Sequence, residues 1–173
     1  MDWDELSPIT DSIFISNWNG SVSRHRLVAA NIKFILCLNH AGKKDRFQDM
    51  YEELGIKHKY IVLEDVFNAD FRGKIPDIVE FMLNEQHGSV LVHCSAGISR
   101  SCAAVVAFFL YKIYHMTRRT RTDRVYDRLV QFVSGARPIC DINYGFVDQL
   151  KAYETQLAIN LDENQLIGGP AEN

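Results

Sequence analysis

Cysteine is scarce in this chain: Cys37, Cys94, Cys102 and Cys140 are the only four in 173 residues. That density excludes a disulfide-stapled scaffold, so each thiol needs its own explanation. An excess of one charge is also lacking. The 19 lysines and arginines face 22 aspartates and glutamates, for a formal net charge of −3. The surface as a whole is therefore no match for nucleic acid or an anionic membrane. Long apolar runs are missing too. The best, 103–110 (AAVVAFFL), spans about two helical turns, far short of a bilayer. The opening MDWDELSP is acidic and polar, unlike a secretory or transit peptide. No internal repeat is visible. The thiols are expected to be reduced, and the cytoplasm, or also the nucleus, is the expected compartment. What is present is 47% hydrophobic and 24% charged residues, the balance of a globular domain with a real core. One catalytic-size domain is expected over 1–160. A flexible tail is expected over 161–173, where the polar, Gly/Pro-containing run from Asp162 reads as frayed.

Three near-continuous apolar runs, 32–38 (IKFILCL), 60–63 (YIVL) and 89–92 (SVLV), read as strands buried on both faces. Residues 13–15 (IFI) read as a shorter edge strand. Helical patterns alternate with them. One covers 22–30. A second, 44–54, stops at Gly55 as a C-terminal cap signal. A third, 75–83, carries an apolar stripe, with Pro76 harmless in its first turn. The pattern at 103–114 is apolar nearly all round and should be central and buried. Helices over 123–133 and 144–157 complete the chain. Strands alternating with helices, then helices alone, imply an α/β fold. It has a central, mostly parallel mixed sheet flanked by helices, with a helical C-terminal layer.

The chemistry concentrates in SVLVHCSAGISRS, residues 89–101. A buried strand ends at His93, a tight loop follows, and a long apolar helix begins at about Ser99 to Cys102. Ligands of open α/β sheets bind at the carboxyl ends of strands, and oriented loop amides with a helix N-terminus form an anion site. The N–H groups of Ser95, Ala96, Gly97, Ile98, Ser99 and Arg100 would hold a phosphate. Gly97 would permit the turn, and Arg100 would add a planar bidentate fork. In the same field Cys94 is expected as a thiolate nucleophile. Alone, Cys94 reads as a buried structural thiol and Arg100 as a surface charge. Together, on one strand–loop–helix, they point to phosphoryl transfer through a cysteinyl-phosphate.

HCSAGISRS resembles the signature loop of the cysteine-dependent protein tyrosine phosphatase superfamily. Its form, C-x-x-G-x-S-R-S, is most similar to the dual-specificity branch. The resemblance extends from about Ile9 to Leu157. IFISNW (13–18) is similar to the family's opening strand and turn, 32–39 to its next buried strand, and 60–65 to the strand entering the general-acid loop. Ala136, Arg137, Pro138, Asn143, Gly145, Phe146, Gln149 and Leu150 match its late motif. The basic segment 116–124 (MTRRTRTDR) departs from the milder linker of the family. The resemblance implies a protein tyrosine phosphatase-like fold and an atypical, catalytic-domain-only member, with no rhodanese-like domain ahead of it. It also implies a protein phosphatase acting on phosphotyrosine and phosphoserine/threonine in signalling.

Expelling an alkoxide or phenoxide needs a proton donor. By position Glu64, Asp65 and Asp70 all qualify, or all are solvated loop acids; the resemblance implies Asp65, with Asp70 more suited to capping the next helix. Ser101 is implied as a donor to the Cys94 sulfur, the plain alternative being a first-turn helix serine. His93 reads as structural, hydrogen-bonding the loop and tuning Cys94 indirectly. Asn143 is implied to brace the loop, and it can also cap the last helix. Ser99 contributes a loop amide and a hydroxyl that holds the loop's shape. Cys37 and Cys102 read as core. No His/Cys/carboxylate spacing supports a metal, so no metal or other cofactor is expected. The expected partner is a phosphorylated protein, not nucleic acid or membrane. Arg118, Arg119, Arg121 and Arg124 read as a solvated basic run or as a docking patch for an acidic or phosphorylated partner. Oligomeric state is open. Rival readings keep the mechanism on an RNA 5′-triphosphate or a phosphoinositide, or make the chain a non-catalytic phospho-binding module. The loop lacks the lysines and the R-T-G ending that those other phosphatases favour.

Overall fold

The structure, a computed structural model, describes residues 4–41, 47–116 and 124–167. In chain order the elements are β1 (Ser7–Pro8), β2 (Ile13–Ser16), α1 (Trp18–Ser21), α2 (Arg24–Ala29), β3 (Ile32–Asn39), α3 (Gln48–Glu53) and β4 (Lys57–Val62). There follow α4 (Ile75–Met82), β5 (Ser89–His93), α5 (Arg100–Met116), α6 (Tyr126–Ala136) and α7 (Tyr144–Ile167). The five strands form one sheet in the order β1-β2-β5-β3-β4. All neighbours are parallel except the β1–β2 pair. This is the expected mixed α/β fold with a helical C-terminal layer.

The apolar runs of β3 and β5 are continuous because both faces of the sheet are covered. Val90 and Val92 point into the larger core with Leu36, Leu38 and the α5 side chains. Leu91, between them, joins Ile35, Leu27 and Tyr51 on the opposite face. Helix α5 runs through the larger core, with Cys102 to Phe108 fully buried. Each such valine or phenylalanine contributes about 1.5–3 kcal/mol by leaving water. Glu154 of α7 is buried as well. Its Oε1 accepts the N–H groups of Val125 (2.6 Å) and Tyr126 (3.3 Å) and the Tyr114 hydroxyl (3.1 Å). One carboxylate thus satisfies the free amides that open α6 and ties three helices together.

Several expectations change. Residues 13–15 are not the edge: β1 covers that side, and as a two-residue strand carrying Pro8 it suits an edge. The run 60–63 is not buried on both faces. It forms the end of β4, the other edge, where Ile61 is the only buried residue of the strand. Lys57 and Lys59 flank that edge, as charges guard unpaired strands, and the Lys59 ammonium reaches Asp77 of α4 at 2.7 Å. The helix expected over 22–30 is α2, Arg24–Ala29, and a separate short helix that was not expected, α1, precedes it at Trp18–Ser21. The expected helix 44–54 is seen from Gln48, since 42–46 lie outside the described residues. Helix α7 continues to Ile167, past the start expected for the tail. No Gly or Pro interrupts 146–167, and the first stop signal is GGP at 168–170. Residues 168–173 lie outside the described residues, as do Arg118, Arg119 and Arg121. Arg124 is described, and its Nη1 donates to Thr155 of α7 at 3.2 Å.

Candidate active site

Strand β5 ends at His93 and α5 begins at Arg100, so residues 94–99 must turn within six positions. The turn works by sending its carbonyls outward. The Ser95 carbonyl accepts the Trp18 N–H (3.1 Å) and the Ile98 carbonyl accepts the Asp141 N–H (3.1 Å). Arg137 takes the two between them, donating from Nε to Gly97 (2.5 Å) and from Nη2 to Ala96 (3.5 Å). The Ser99 carbonyl accepts the Ala103 N–H of α5 at 2.8 Å. With the carbonyls from Ser95 to Ile98 engaged outside the loop, its amides can turn inward, and the Gly97 N–H does so toward Cys94. Gly97 sits at φ +68, and a Cβ there would come within 2.5 Å of the Ser16 carbonyl oxygen. Only glycine fits that approach.

Cys94 lies at the floor, 1% exposed. The Gly97 N–H donates to its Sγ at 3.2 Å, and the Ser101 hydroxyl stands within reach of the sulfur at 3.5 Å. Behind the loop, Cys102 is core as expected. Its hydrogen bond with Cys140, together with burial, pushes its thiol well up, while the same bond draws the Cys140 thiol down.

Arg100 is 6% exposed. Its Nη1 donates to the Asn39 Oδ1 (3.1 Å) and the Leu63 carbonyl (3.2 Å). Its Nε is buried without a hydrogen-bond acceptor and stands 3.6 Å from the Asp65 Oδ2, an ion pair rather than a hydrogen bond. The guanidinium is thus fixed between the strand ends of β3 and β4, with part of its fork uncommitted. Asn39 also accepts from the Ser95 hydroxyl at 2.8 Å.

Asp65 follows β4 and is brought to the loop. Its Oδ1 accepts from the Ser99 hydroxyl (2.7 Å) and from the Asn143 Nδ2 (2.6 Å). Asn143 does cap α7, its Oδ1 accepting the Phe146 N–H at 3.0 Å. It also holds the carboxylate, which the sequence did not suggest. Glu64 is exposed. Asp70 is engaged elsewhere: its Oδ1 accepts the Gly73 N–H at 2.8 Å, inside the 3₁₀ turn Arg72–Lys74 whose N-cap is Phe71. The structure therefore gathers Cys94, Arg100, Ser101, Asp65, Ser99 and Asn143 at one place. Sequence reasoning matched Trp18, Asn39 and Arg137 to family motifs without giving them a role, and it did not single out Asp141. The polar end of an otherwise apolar strand marked Asn39, and the Arg-Pro pair before α7 marked Arg137.

His93 is buried beside the nucleophile. A ring nitrogen, Nδ1, pairs with the Cys94 carbonyl at 3.4 Å, and Nε2 has no partner. Burial pushes its pKa down to about 4, with the Cys94 carbonyl opposing. The neutral ring braces the loop backbone. Because the folded value lies below the ordinary one near 6.5, acid favours the unfolded chain. Its stability contribution is complete above about pH 6.5 and is lost as pH falls toward 4. Between pH 7 and 5 this single group should remove about 2 kcal/mol. Denaturant melts of wild type and His93→Asn at both pH values check it: the variant should lose that part of the pH dependence, and an unchanged slope would place the titration elsewhere.

The dual specificity phosphatase, catalytic domain model matches residues 13–156. A probable rhodanese domain-containing dual specificity protein phosphatase of Dictyostelium discoideum is 30% identical over 91% of this chain and 30% of its own length. The chain spans under a third of the length of the first curated relatives it matches. Among solved structures, the human tyrosine phosphatase-like serine/threonine/tyrosine-interacting protein aligns with TM-score 0.73 at 26% identity, over 91% of this chain and 99% of that one. The Yvh1 phosphatase domain from Chaetomium thermophilum aligns with TM-score 0.71 at 25% identity, over 98% of each. The loop, the sheet and these matches agree, and the chain belongs to the dual specificity phosphatase catalytic-domain family.

Proposed function

We propose that this domain is a protein phosphatase hydrolysing phosphotyrosine and phosphoserine/threonine through a cysteinyl-phosphate on Cys94. The observation that carries the reading is the loop whose carbonyls from Ser95 to Ile98 are all engaged outside. That leaves its amides for an anion above the Cys94 sulfur, with Asp65 tied at the rim by Ser99 and Asn143. The Cys94 sulfur attacks phosphorus while the bond to the ester oxygen breaks and Asp65 gives that oxygen its proton. The loop amides and Arg100 hold the non-bridging oxygens, where positioning and electrostatics dominate phosphoryl transfer. Water then attacks phosphorus and gives its proton to Asp65. The S–P bond breaks, and the Ser101 hydroxyl receives the departing thiolate with a hydrogen bond. The thiols of Cys94, Cys102 and Cys140, which form no disulfide, suit a reducing compartment, and the proposed setting is signalling in the cytoplasm or nucleus. Among the described residues no helix is long and apolar enough to cross a membrane.

Asp65→Asn tests the acid. With an alkyl phosphate, whose leaving oxygen needs the proton, kcat should fall about 10²–10⁴-fold. With p-nitrophenyl phosphate, whose leaving group departs as an anion, the loss should be much smaller. Equal losses on both would remove Asp65 from the acid's role.

A further inference from the structure

Large hydrophobic side chains are exposed at only seven described positions, and three of them gather beside Asp65: Val66 (49%), Phe67 (67%) and Tyr144 (82%). Val66 and Phe67 follow Asp65 directly, and Tyr144 follows Asn143, which holds the Asp65 carboxylate at 2.6 Å. Their exposure does not come from a loose backbone. Gly145 lies so close to the Phe67 carbonyl that a Cβ there would overlap its oxygen. Gln149 adds two bonds from α7 to the same segment, donating to the Ala69 carbonyl (2.9 Å) and accepting the Arg72 N–H (2.8 Å). Two exposed aromatic side chains thus stand on braced supports next to Asp65 and to Asn143, which holds its carboxylate. An exposed apolar cluster so placed marks a contact surface.

We infer that Phe67 and Tyr144 form an aryl-binding rim that makes the site prefer phosphotyrosine over phosphothreonine. The inference rests on the catalytic reading above, because the position of Asp65 decides what the rim touches. The phosphate lies on the loop amides and the leaving oxygen must meet Asp65. The atoms beyond that oxygen therefore pass the residues flanking Asp65 and Asn143. A phosphotyrosyl side chain puts a flat ring there, and aromatic rings pack edge-to-face or offset with gain beyond their buried area. A phosphothreonyl side chain ends after a few carbons and leaves both rings uncovered.

The test compares kcat/KM on two peptides of one sequence, one phosphotyrosyl and one phosphothreonyl. Wild type should favour the first. Phe67→Ala combined with Tyr144→Ala should cut the ratio of the two by about tenfold. Tyr144→Phe, which keeps the ring, should retain the ratio, as should Val28→Ala, a change at an exposed valine of α2. An unchanged ratio in the double variant overturns the rim. So does an equal loss on both peptides, which would mean that the rings grip residues neighbouring the phosphorylated one. Calorimetric affinities of both peptides for Cys94→Ser give the same comparison without turnover, and equal affinities also overturn it. A wild type that binds the phosphotyrosyl peptide more tightly yet hydrolyses neither would keep the rim and refute the catalytic reading instead.

Discussion

Cys94→Ser should abolish turnover, lowering kcat by about 10⁵-fold or more, while inorganic phosphate or vanadate still binds. The sulfur sits at the floor of the loop, 1% exposed, with the Gly97 N–H donating to it and the Ser101 hydroxyl within reach. A serine hydroxyl keeps the shape and accepts the same hydrogen bonds, but it does not ionise at neutral pH and makes a poor leaving group in the second step. The anion cradle does not depend on sulfur. It depends on the carbonyls held outside by Trp18, Arg137 and Asp141, and none of these changes. Steady-state assays with p-nitrophenyl phosphate and calorimetric titration with vanadate separate the two properties. Turnover close to that of wild type would put the nucleophile elsewhere.

Arg100→Lys should lower kcat/KM by about 10³-fold and, unlike Cys94→Ser, should also weaken vanadate binding. The guanidinium is used at several points at once. Nη1 is anchored on Asn39 and the Leu63 carbonyl, Nε faces Asp65, and the remaining donors are left for the phosphate. A lysine offers one compact ammonium on a flexible stem. It can satisfy the anchor or reach the anion, and it lacks the planar fork that does both. The side chain is 6% exposed, so solvent cannot make up the missing bonds. Vanadate affinity equal to wild type in this variant would mean that the loop amides alone bind the anion.

The parts of the molecule that were legible in the sequence are those in which neighbouring residues determine one another. β3 and β5 read as strands because each is apolar on both faces, and the core that surrounds them is what made them so. The signature loop was legible because nucleophile, glycine and arginine lie within seven consecutive residues. Asp65 could be placed only through the family likeness, since Glu64 and Asp70 are also acids near the same strand end. Its geometry depends on Ser99 and Asn143, 34 and 78 residues away in the chain. Arg137 was matched to the late motif but given no role. It stands 40 residues from Gly97, and apart from the Arg-Pro pair nothing local distinguishes a buried arginine that clamps loop carbonyls from a surface charge. The edge character of β4 was hidden because Tyr60-Ile-Val-Leu63 is apolar, although Lys57 and Lys59 mark it as an edge once the sheet order is known.

The most direct test of the account is rapid acid quench of the wild-type protein during turnover of p-nitrophenyl phosphate, followed by peptide mass mapping. One phosphoryl group should appear on the peptide that contains Cys94, formed in step with a burst of p-nitrophenol. A phosphoryl group on His93 or any other residue, or full-rate release of p-nitrophenol with no phosphorylated peptide, would contradict it.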